Sequence, residues 1–411
     1  MPNIPISKAG TAIVTILLFV FLCIAGVQTW EFTDSYFWDA WSVHIYRFGL
    51  SDAYHSGTNY MPMLQYVLYV FGRWVGDADE IWHHLTYLKI FAIAFDFIGL
   101  WYVYKFLGNR ISFIALLIIN VLNLAFIYDS VIWGQFDAVL SALNYIAVYY
   151  AFKGQMNMSA AFYMMAFNMK VQAVILLPVL GFFYIINIVE QKNWKAIIYP
   201  LIVMVVVQFV FLLPFIHSVD ELKRIWAVLV TSVDNYPMVS MYAYNIWYLI
   251  YPGAELHNMP DSELLIWGLS CKTVGLALFF MSSFVALYPL LKILLQKVSG
   301  KKVQMIAKHK LWIICALLYL LFFYFNTQMH ERYSHPAFLF IISYAFYNKK
   351  YLVYVLFSIV FFLSLESLMH WLALNNYHTA IFDARVLAII YGVIIFYLFY
   401  LLYKKDNTKE L

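Results

Sequence analysis

Apolar runs recur along the whole chain, and many approach the roughly 20 residues that a helix needs to cross the hydrocarbon core of a bilayer. The composition agrees, because 64% of the 411 residues are hydrophobic and only 12% are charged. A soluble domain carries about twice that share of charged residues. The sequence therefore predicts an all-α polytopic membrane protein. Its net charge of +4 gives no reason to expect a nucleic-acid partner.

Twelve of the apolar runs are predicted transmembrane helices. They cover residues 9–30, 87–107, 111–128, 137–153, 157–169, 171–189, 195–217, 263–294, 311–326, 335–347, 351–371 and 384–403. The fifth run is too short to span alone, so we expect a half-helix that breaks at Asn168-Met169-Lys170, buried in protein or lining a cavity. Residues 60–75 are predicted to form an interfacial or re-entrant helix, because counting them as a span would invert every later loop.

The distribution of basic residues predicts the orientation. Most of the 26 Lys and Arg residues fall in loops on one side of this arrangement, which by the positive-inside rule is the cytoplasmic side. Both termini are then cytoplasmic, and residues 404–411 form a short charged tail. The long loops 31–86 and 218–262 lie outside. We expect one integral-membrane domain over residues 1–411, with interfacial helices in the first outer loop.

Polar residues interrupt the apolar pattern at the outer boundary, where they are costly unless they face a cavity or a partner. The most informative stretch is Trp133-Gly134-Gln135-Phe136-Asp137, which lies between two apolar runs. In the first outer loop, Trp38 and Trp41 recur at helical spacing, so a helix lying on the membrane is expected there. Asp34 stands at its start, either as a helix cap or as a catalytic base above the bilayer.

Two lysines within apolar segments also require an explanation. Lys89 and Asp96 lie about two turns apart on one predicted span, so they share a face and either pair or line a polar cavity. Lys170 and Gln172 lie at the break between two spans. Phosphate binding is the functional interpretation of Lys170, and snorkelling of its ammonium group to the interface is the alternative.

Further polar groups complete the set. Asn245, among aromatic residues, either binds a sugar hydroxyl or caps a helix. His330-Glu331-Arg332-Tyr333 offers a guanidinium fork for a phosphate, or a Glu–Arg network that joins two helices. Asp77-Ala78-Asp79 has a spacing that can hold a divalent metal, but solvated acids are the alternative. No metal or other cofactor is assigned to the site.

In their order along the chain, these motifs resemble those of the GT-C superfamily of integral-membrane glycosyltransferases, in particular the bacterial branch related to the GPI-anchor mannosyltransferases. Trp-Gly-Gln-x-Asp at 133–137 and His-Glu-Arg-Tyr at 330–333 match in full. The partial matches are Asp34 with Trp38 and Trp41-Ser42, Asn59-Tyr60-Met61-Pro62, Lys89 with Asp96, Lys170-Val171-Gln172, and Ala243 with Asn245 and Trp247. Met61 and Val171 stand where the family pattern has proline.

The resemblance implies a GT-C fold in a bacterial inner membrane. It also implies transfer of mannose or another hexose, with inversion, from a polyprenyl-phosphate carrier to a glycan or lipid-linked acceptor on the outer side. A phosphate leaving group needs positive charge rather than a general acid, whereas the acceptor hydroxyl needs a general base. The expected roles are Asp34 as base; Lys170, Arg332 and His330 for the donor phosphate; Trp133, Gln135, Asp137, Gln172, Asn245 and Glu331 for sugar or acceptor; and Lys89 and Asp96 as cavity wall.

Two other functions fit the same residues. A flippase or transporter of a lipid-linked saccharide would also have broken helices and buried charges, although its polar groups would be expected near the membrane centre. An O-antigen polymerase or ligase would use a diphosphate carrier instead of a monophosphate. The sequence does not identify the sugar, the acceptor or the carrier length.

Overall fold

The structure is a computed structural model that describes residues 7–29, 34–231 and 235–405. Parts of both predicted outer loops (31–33 and 232–234), residue 30 of the first predicted span, and residues 406–411 of the tail lie outside the described residues. About three-quarters of the chain is helical, with almost no strand. The predicted all-α class is therefore confirmed.

The chain divides into two compact units. The first consists of Met1–Lys105, Ser112–Leu122 and Ile127–Asn235, and the second of Phe106–Ile111, Asn123–Phe126 and Tyr236–Leu411. The first twelve α-helices are α1 (Lys8–Gln28), α2 (Ser35–Phe48), α3 (Pro62–Val75), α4 (Ile81–His84), α5 (Lys89–Leu107), α6 (Phe113–Val121), α7 (Leu124–Ile127), α8 (Asp137–Phe152), α9 (Met156–Met169), α10 (Leu177–Gln191), α11 (Lys195–Leu212) and α12 (Val219–Thr231). A π-helix, Tyr128–Trp133, follows α7.

Besides most of α7, the second unit contains the remaining described helices and one hairpin. They are α13 (Trp247–Ile250), the strands β1 (Leu264–Ile266) and β2 (Leu269–Ser270), α14 (Cys271–Val298), α15 (Lys308–Phe325), α16 (Ala337–Asn348), α17 (Leu352–Met369) and α18 (Ala384–Tyr403). Short 3-10 helices lie at Leu50–Ser56, Leu85–Leu88, Gly108–Arg110, Val171–Leu176, Leu213–Phe215 and Ala380–Phe382.

Eight helices in the described part of the chain are long and apolar enough to cross a membrane, and a ninth is possible if the bent pair Phe113–Val121 and Leu124–Trp133 counts as one span. Every predicted span contains a helix, but α8, α9 and α16 have only 16, 14 and 12 residues. The multi-pass class is therefore confirmed, whereas the number twelve stays a prediction. The bent pair turns by 77°, so the predicted span 111–128 contains a break and is not one continuous helix.

Burial separates central helices from peripheral ones. In the first unit, every α8 residue from Asp137 to Val148 is buried, as expected of a helix that is apolar on all sides and packs against α9 and α10. In the second unit, α15 and α16 are largely buried, and α15 packs against α14, α16 and α18. By contrast, α1 and α11 are strongly apolar yet expose residues such as Leu17 and Val205, which is what helices facing lipid do.

Two local predictions are confirmed and one is wrong. α2 buries Trp38, Trp41 and Ile45 on one face, as its periodicity indicated. The break after α9 occurs at Lys170, where the backbone is extended before a 3-10 helix begins. The predicted span 263–294 was placed too early, because its first residues form the β1–β2 hairpin. Its turn, Trp267-Gly268, has positive φ at both residues, a conformation that closes a tight hairpin and interrupts a helix.

Candidate functional site

Asp34 stands at the N-cap position of α2, but its side chain makes no capping hydrogen bond to the helix. Its Oδ2 instead accepts a hydrogen bond of 2.5 Å from Nε2 of Gln135, which is 101 residues further along the chain. The carboxylate is half-buried. The capping alternative therefore does not describe what this side chain does, because Asp34 is turned towards the Trp133–Asp137 motif.

The geometry of that motif explains its glycine. The π-helix ends at Gly134, which has a φ of 89°. The amide groups of Gly134 and Gln135 both donate to the carbonyl oxygen of Asp129, at 2.9 and 2.8 Å. A Cβ atom at Gly134 would lie 2.8 Å from Cε of Lys89. Only glycine satisfies both the left-handed backbone and the close lysine, and the resulting turn aims Gln135 at Asp34.

A small cavity lies where these elements meet in the first unit. Its walls include Asp34, Trp38, Lys89, Trp133 and Gln135, and its volume is about 20 Å³. A single water needs roughly 10–15 Å³, so the cavity admits a water molecule or a hydroxyl group but not a sugar ring. Among the described residues, Oε1 of Gln135 is buried without a hydrogen-bond partner. Such an atom in a cavity wall is suited to bind a hydroxyl group that enters.

Lys89 places a buried positive charge in the cavity wall. Its Nζ donates to the carbonyl oxygens of Thr29 and Ile132, at 2.6 and 2.7 Å, and to that of Val131 at 3.2 Å. Asp96 is not one of the residues that line the cavity, and it accepts a bond of 2.5 Å from Oγ of Ser130. The two residues on α5 thus hold successive residues of one π-helix.

Asp137 and Lys170 form a buried ion pair. Nζ of Lys170 lies 2.7 Å from Oδ1 of Asp137, and the two residues are 6% and 1% exposed. Nζ also lies 5.6 Å from the ring centre of Tyr60. Burial of the lysine contradicts the snorkelling alternative. The pair joins the first turn of α8 to the break after α9, and Gln172 is half-buried on the 3-10 helix that follows.

Aromatic rings surround the cavity side of α2. Trp38 makes edge-to-face contacts with Phe136, Tyr60 and Trp41, with ring centres 5.1, 5.3 and 5.4 Å apart. Rings in this arrangement stabilise one another beyond the area that they bury, by roughly 0.5–1.5 kcal/mol a pair. The helix α2, which follows Asp34, is therefore held against Phe136 of the Trp133–Asp137 motif.

In the second unit, Asn245 is used for main-chain contacts. Its Nδ2 donates to the carbonyl oxygen of Phe323 at 3.1 Å, and its Oδ1 accepts from the amide of Trp247 at 3.2 Å. Nε1 of Trp247 donates to the carbonyl oxygen of Phe325 at 3.0 Å. Asn245 is fully buried. These bonds satisfy carbonyl groups at the end of α15, as the capping alternative for Asn245 requires.

The His330–Tyr333 motif forms a compact charged turn in the second unit. Nη1 of Arg332 lies 3.1 Å from Oε1 of Glu331, and Nδ1 of His330 lies 3.9 Å from the other carboxylate oxygen. Glu331 and Arg332 are 3% and 7% exposed. The His330 ring packs edge-on against Tyr236, with centres 5.1 Å apart. Glu331 and Arg332 are therefore paired within this turn, and a phosphate at Arg332 would compete with Glu331.

The acidic triplet at Asp77 and Asp79 lies on the surface. The Asp79 side chain is 90% exposed, and its Oδ1 lies 3.7 Å from Nη2 of Arg47. Oδ1 of Asp77 accepts from the amide of Asp79 at 3.0 Å. This geometry matches the solvated-acid alternative.

The sequence patterns did not indicate two partners of the site. Thr29 supplies acceptors to Lys89, and Ser130 donates to Asp96. Each is a small polar residue at the end of an apolar run, which is the signal that marks it. A comparison with models of known protein families gives no match, and a comparison with curated proteins gives none either. The function is therefore inferred from the chain's own side chains.

Proposed function

We propose that this protein is an integral-membrane glycosyltransferase that moves a sugar from a polyprenyl-phosphate carrier to a glycan or lipid-linked acceptor. The observation that carries the proposal is the meeting of Asp34 and Gln135 in one cavity wall. The Asp34 carboxylate is half-buried and is held by the side-chain amide of Gln135. The carbonyl oxygen of that amide has no hydrogen-bond partner among the described residues, so the two side chains together are suited to bind a hydroxyl group.

Asp34 is the general base of the proposed reaction. It takes the proton of an acceptor hydroxyl in the cavity while that oxygen bonds to the anomeric carbon of the donor sugar. The bond from that carbon to the carrier phosphate breaks, and the phosphate leaves with the electron pair. Attack from the face opposite the phosphate inverts the anomeric centre. Gln135 orients both Asp34 and the hydroxyl. Because the cavity is small, the sugar ring binds at its mouth, or the site widens to admit it.

Positive charge must stabilise the leaving phosphate. Lys89 supplies a cation on the cavity wall itself. Lys170, Arg332 and His330 are the proposed phosphate-binding residues, with Asp137 as the competitor for Lys170 and Glu331 as the competitor for Arg332. Trp133, Gln172 and the aromatic residues around Trp38 are the proposed contacts for the sugar and the lipid chain.

The finer architecture belongs to the same proposal. It comprises a GT-C fold with twelve spans, a bacterial inner membrane, cytoplasmic termini and a site on the outer face. The motif order and the distribution of basic residues support it. Reaction of an impermeant cysteine reagent with single cysteines introduced beside Asp34 and in the 299–307 loop would test the sidedness.

Transfer in reconstituted vesicles tests the function. A radiolabelled polyprenyl-monophosphate sugar is offered to the wild type, to Asp34→Asn and to the matched control Asp39→Asn, which alters a second half-buried aspartate of α2. Label should reach the acceptor fraction with the wild type and Asp39→Asn but not with Asp34→Asn. Label that crosses the bilayer yet stays on its carrier would indicate a flippase. Transfer only from a diphosphate carrier would indicate a polymerase or ligase.

A further inference from the structure

A second polar cluster lies in the first unit, where the 3-10 helix Leu50–Ser56 meets the start of α12. One ligand atom each from Asp52, His55 and Glu221 lies within 4.8 Å of the other two. Two ligand atoms of one zinc ion, each about 2.1 Å from the metal, lie roughly 3–4 Å apart. We propose that these three residues bind a zinc-type divalent metal ion. The proposal is independent of the glycosyltransferase function.

The outer partners of the three residues are those of a metal site. A histidine ligand normally donates its second ring N–H to a carboxylate, which leaves the other nitrogen for the metal. Here Nε2 of His55 lies 3.1 Å from Oδ2 of Asp220, and Nδ1 faces the cluster. With its ring proton on Nε2, next to Asp220, His55 would present the lone pair of Nδ1 to a metal ion at the cluster.

The two carboxylates are held in the same way. Oδ2 of Asp52 lies 3.0 Å from Nε2 of His44, so Oδ1 is the oxygen that faces His55. Oε2 of Glu221 accepts from the amide of Tyr54 at 3.1 Å, so Oε1 faces His55. Each proposed ligand thus has one atom fixed by a neighbour and one directed at a common point. An accidental group of surface acids would not be expected to share this arrangement.

Charge and burial also call for a cation. Asp52, Asp220 and Glu221 bring three carboxylates together, and Arg224, 2.9 Å from Asp220, offsets one of them. Glu221 is only 1% exposed. Among the described residues its Oε1 has no hydrogen-bond donor, although Nδ1 of His55 lies against it. A buried carboxylate is costly unless a cation pairs with it, and a metal ion at this point would supply that charge in place of a protonated His55.

The ligand types indicate the class of metal. An imidazole nitrogen with two carboxylate oxygens suits zinc and similar transition metals, whereas calcium and magnesium prefer oxygen-only sites. Asp52 and His55 are 40% and 37% exposed, so water can supply the remaining positions. The ion would tie the predicted outer loop 31–86 to α12, at the start of the predicted outer loop 218–262, within the first unit. The competing explanation is a doubly protonated His55 as the cation of an ion-pair network.

Metal content of the purified full-length protein tests the proposal. Protein carrying a tag other than polyhistidine is stripped with a chelator, exposed to Zn²⁺, desalted and analysed by mass spectrometry for metal. We expect one Zn²⁺ per chain in the wild type, and at least a hundredfold weaker binding in His55→Ala and Glu221→Gln. His84→Ala is the matched control, because its side chain is also 37% exposed and its Nδ1 faces a carboxylate, that of Glu80. It should bind like the wild type.

Two further measurements keep the test valid if the ligand variants fold poorly. His44→Ala removes only an outer partner and should weaken Zn²⁺ binding by about 10–100-fold. Zn²⁺ should raise the unfolding midpoint of the wild type, and equal concentrations of Mg²⁺ or Ca²⁺ should not. The proposal is overturned if the wild type retains no Zn²⁺, if all variants retain it equally, or if Mg²⁺ or Ca²⁺ occupies the site instead.

Discussion

The two motifs that match the glycosyltransferase pattern in full behave differently in the structure. The Trp133–Asp137 motif places Gln135 in the cavity wall, where it donates to Asp34, and leaves its Oε1 without a hydrogen-bond partner among the described residues. His330–Tyr333 joins Glu331 to Arg332 within a single buried turn. The two motifs match the sequence pattern equally well, but the structure supports a catalytic role for the first more strongly than for the second. The first motif provides a group poised for a hydroxyl, and the second provides a guanidinium that is already matched by a carboxylate.

The largest effect is expected from Asp34→Asn. Removing a general base typically lowers the rate by about 10²–10⁴-fold, and asparagine retains an oxygen that can accept from Gln135. The thermal unfolding midpoint should change little. Turnover with the monophosphate donor, measured beside Asp39→Asn, checks this. If the turnover of Asp34→Asn were within a few-fold of wild type, Asp34 would not be the general base and the first motif would not be part of the catalytic site.

Substitutions in the buried Asp137–Lys170 pair should cause the largest loss in the free energy of unfolding. Removing one partner of a buried pair leaves an uncompensated charge, at a cost of about 3–5 kcal/mol. Asp137→Asn and Lys170→Met should each destabilise the protein by this order, and the double variant by less than their sum. Unfolding in detergent, arranged as a double-mutant cycle, measures the coupling. The same cycle with Glu331→Gln and Arg332→Met measures whether the second motif stabilises the fold as strongly. If the losses of stability at Asp137 and Lys170 were additive, the two residues would not form an ion pair.

Gly134→Ala should have an intermediate effect. Alanine at a φ of 89° is strained by roughly 1–3 kcal/mol, and its Cβ would displace Lys89. Both stability and transfer should fall, because the turn aims Gln135 at Asp34. Gly154→Ala, at a φ of 75° with open space around it, separates backbone strain from the lysine contact. Equal transfer rates in the two variants would show that the contact with Lys89 is unimportant.

Arg332→Lys tests whether the second motif, His330–Tyr333, binds the donor phosphate. If Arg332 binds the donor phosphate, loss of its planar fork should raise the KM for the donor by about tenfold while kcat changes little. A purely structural Arg332 would instead lower the unfolding midpoint and leave KM unchanged. Donor-dependent kinetics and thermal unfolding of the same preparation distinguish these outcomes.

The smallest effect is expected at an exposed pair in the second unit. Hydrogen bonds from the Arg385 guanidinium lower the pKa of Asp383 from its usual 3.8 to about 2. Because the pKa is lower in the folded state, the pair's contribution is complete above about pH 4 and is lost as the pH falls towards 2. Asp383→Asn should therefore differ from wild type in unfolding midpoint at pH 6, and this difference should be much smaller at pH 2. If the difference in unfolding midpoint between the two proteins grew as the pH fell, the shift in the pKa of Asp383 would have the opposite direction.

Local patterns in the sequence were sufficient for the class of fold and for several elements. Apolar runs predicted the helices, the spacing of Trp38 and Trp41 predicted the buried face of α2, and polar residues marked the break at Lys170. These features depend on periodicity and on the cost of polar groups in lipid, which act within a few residues. The early start of the span at 263 was wrong because a two-residue turn can divide an apolar run into a hairpin.

Only the tertiary structure decided which polar residues meet. Asp34 contacts Gln135, which is 101 residues away in the sequence, and Lys170 contacts Asp137, which is 33 residues away. Glu221 lies close to Asp52 and His55, although most of the first unit separates them in the sequence. The sequence identified Asp34, Gln135, Asp137 and Lys170 as costly to bury, but that cost does not name the partner. Partners depend on helix packing, and packing is determined by apolar surfaces across the whole unit rather than by the polar residues it brings together.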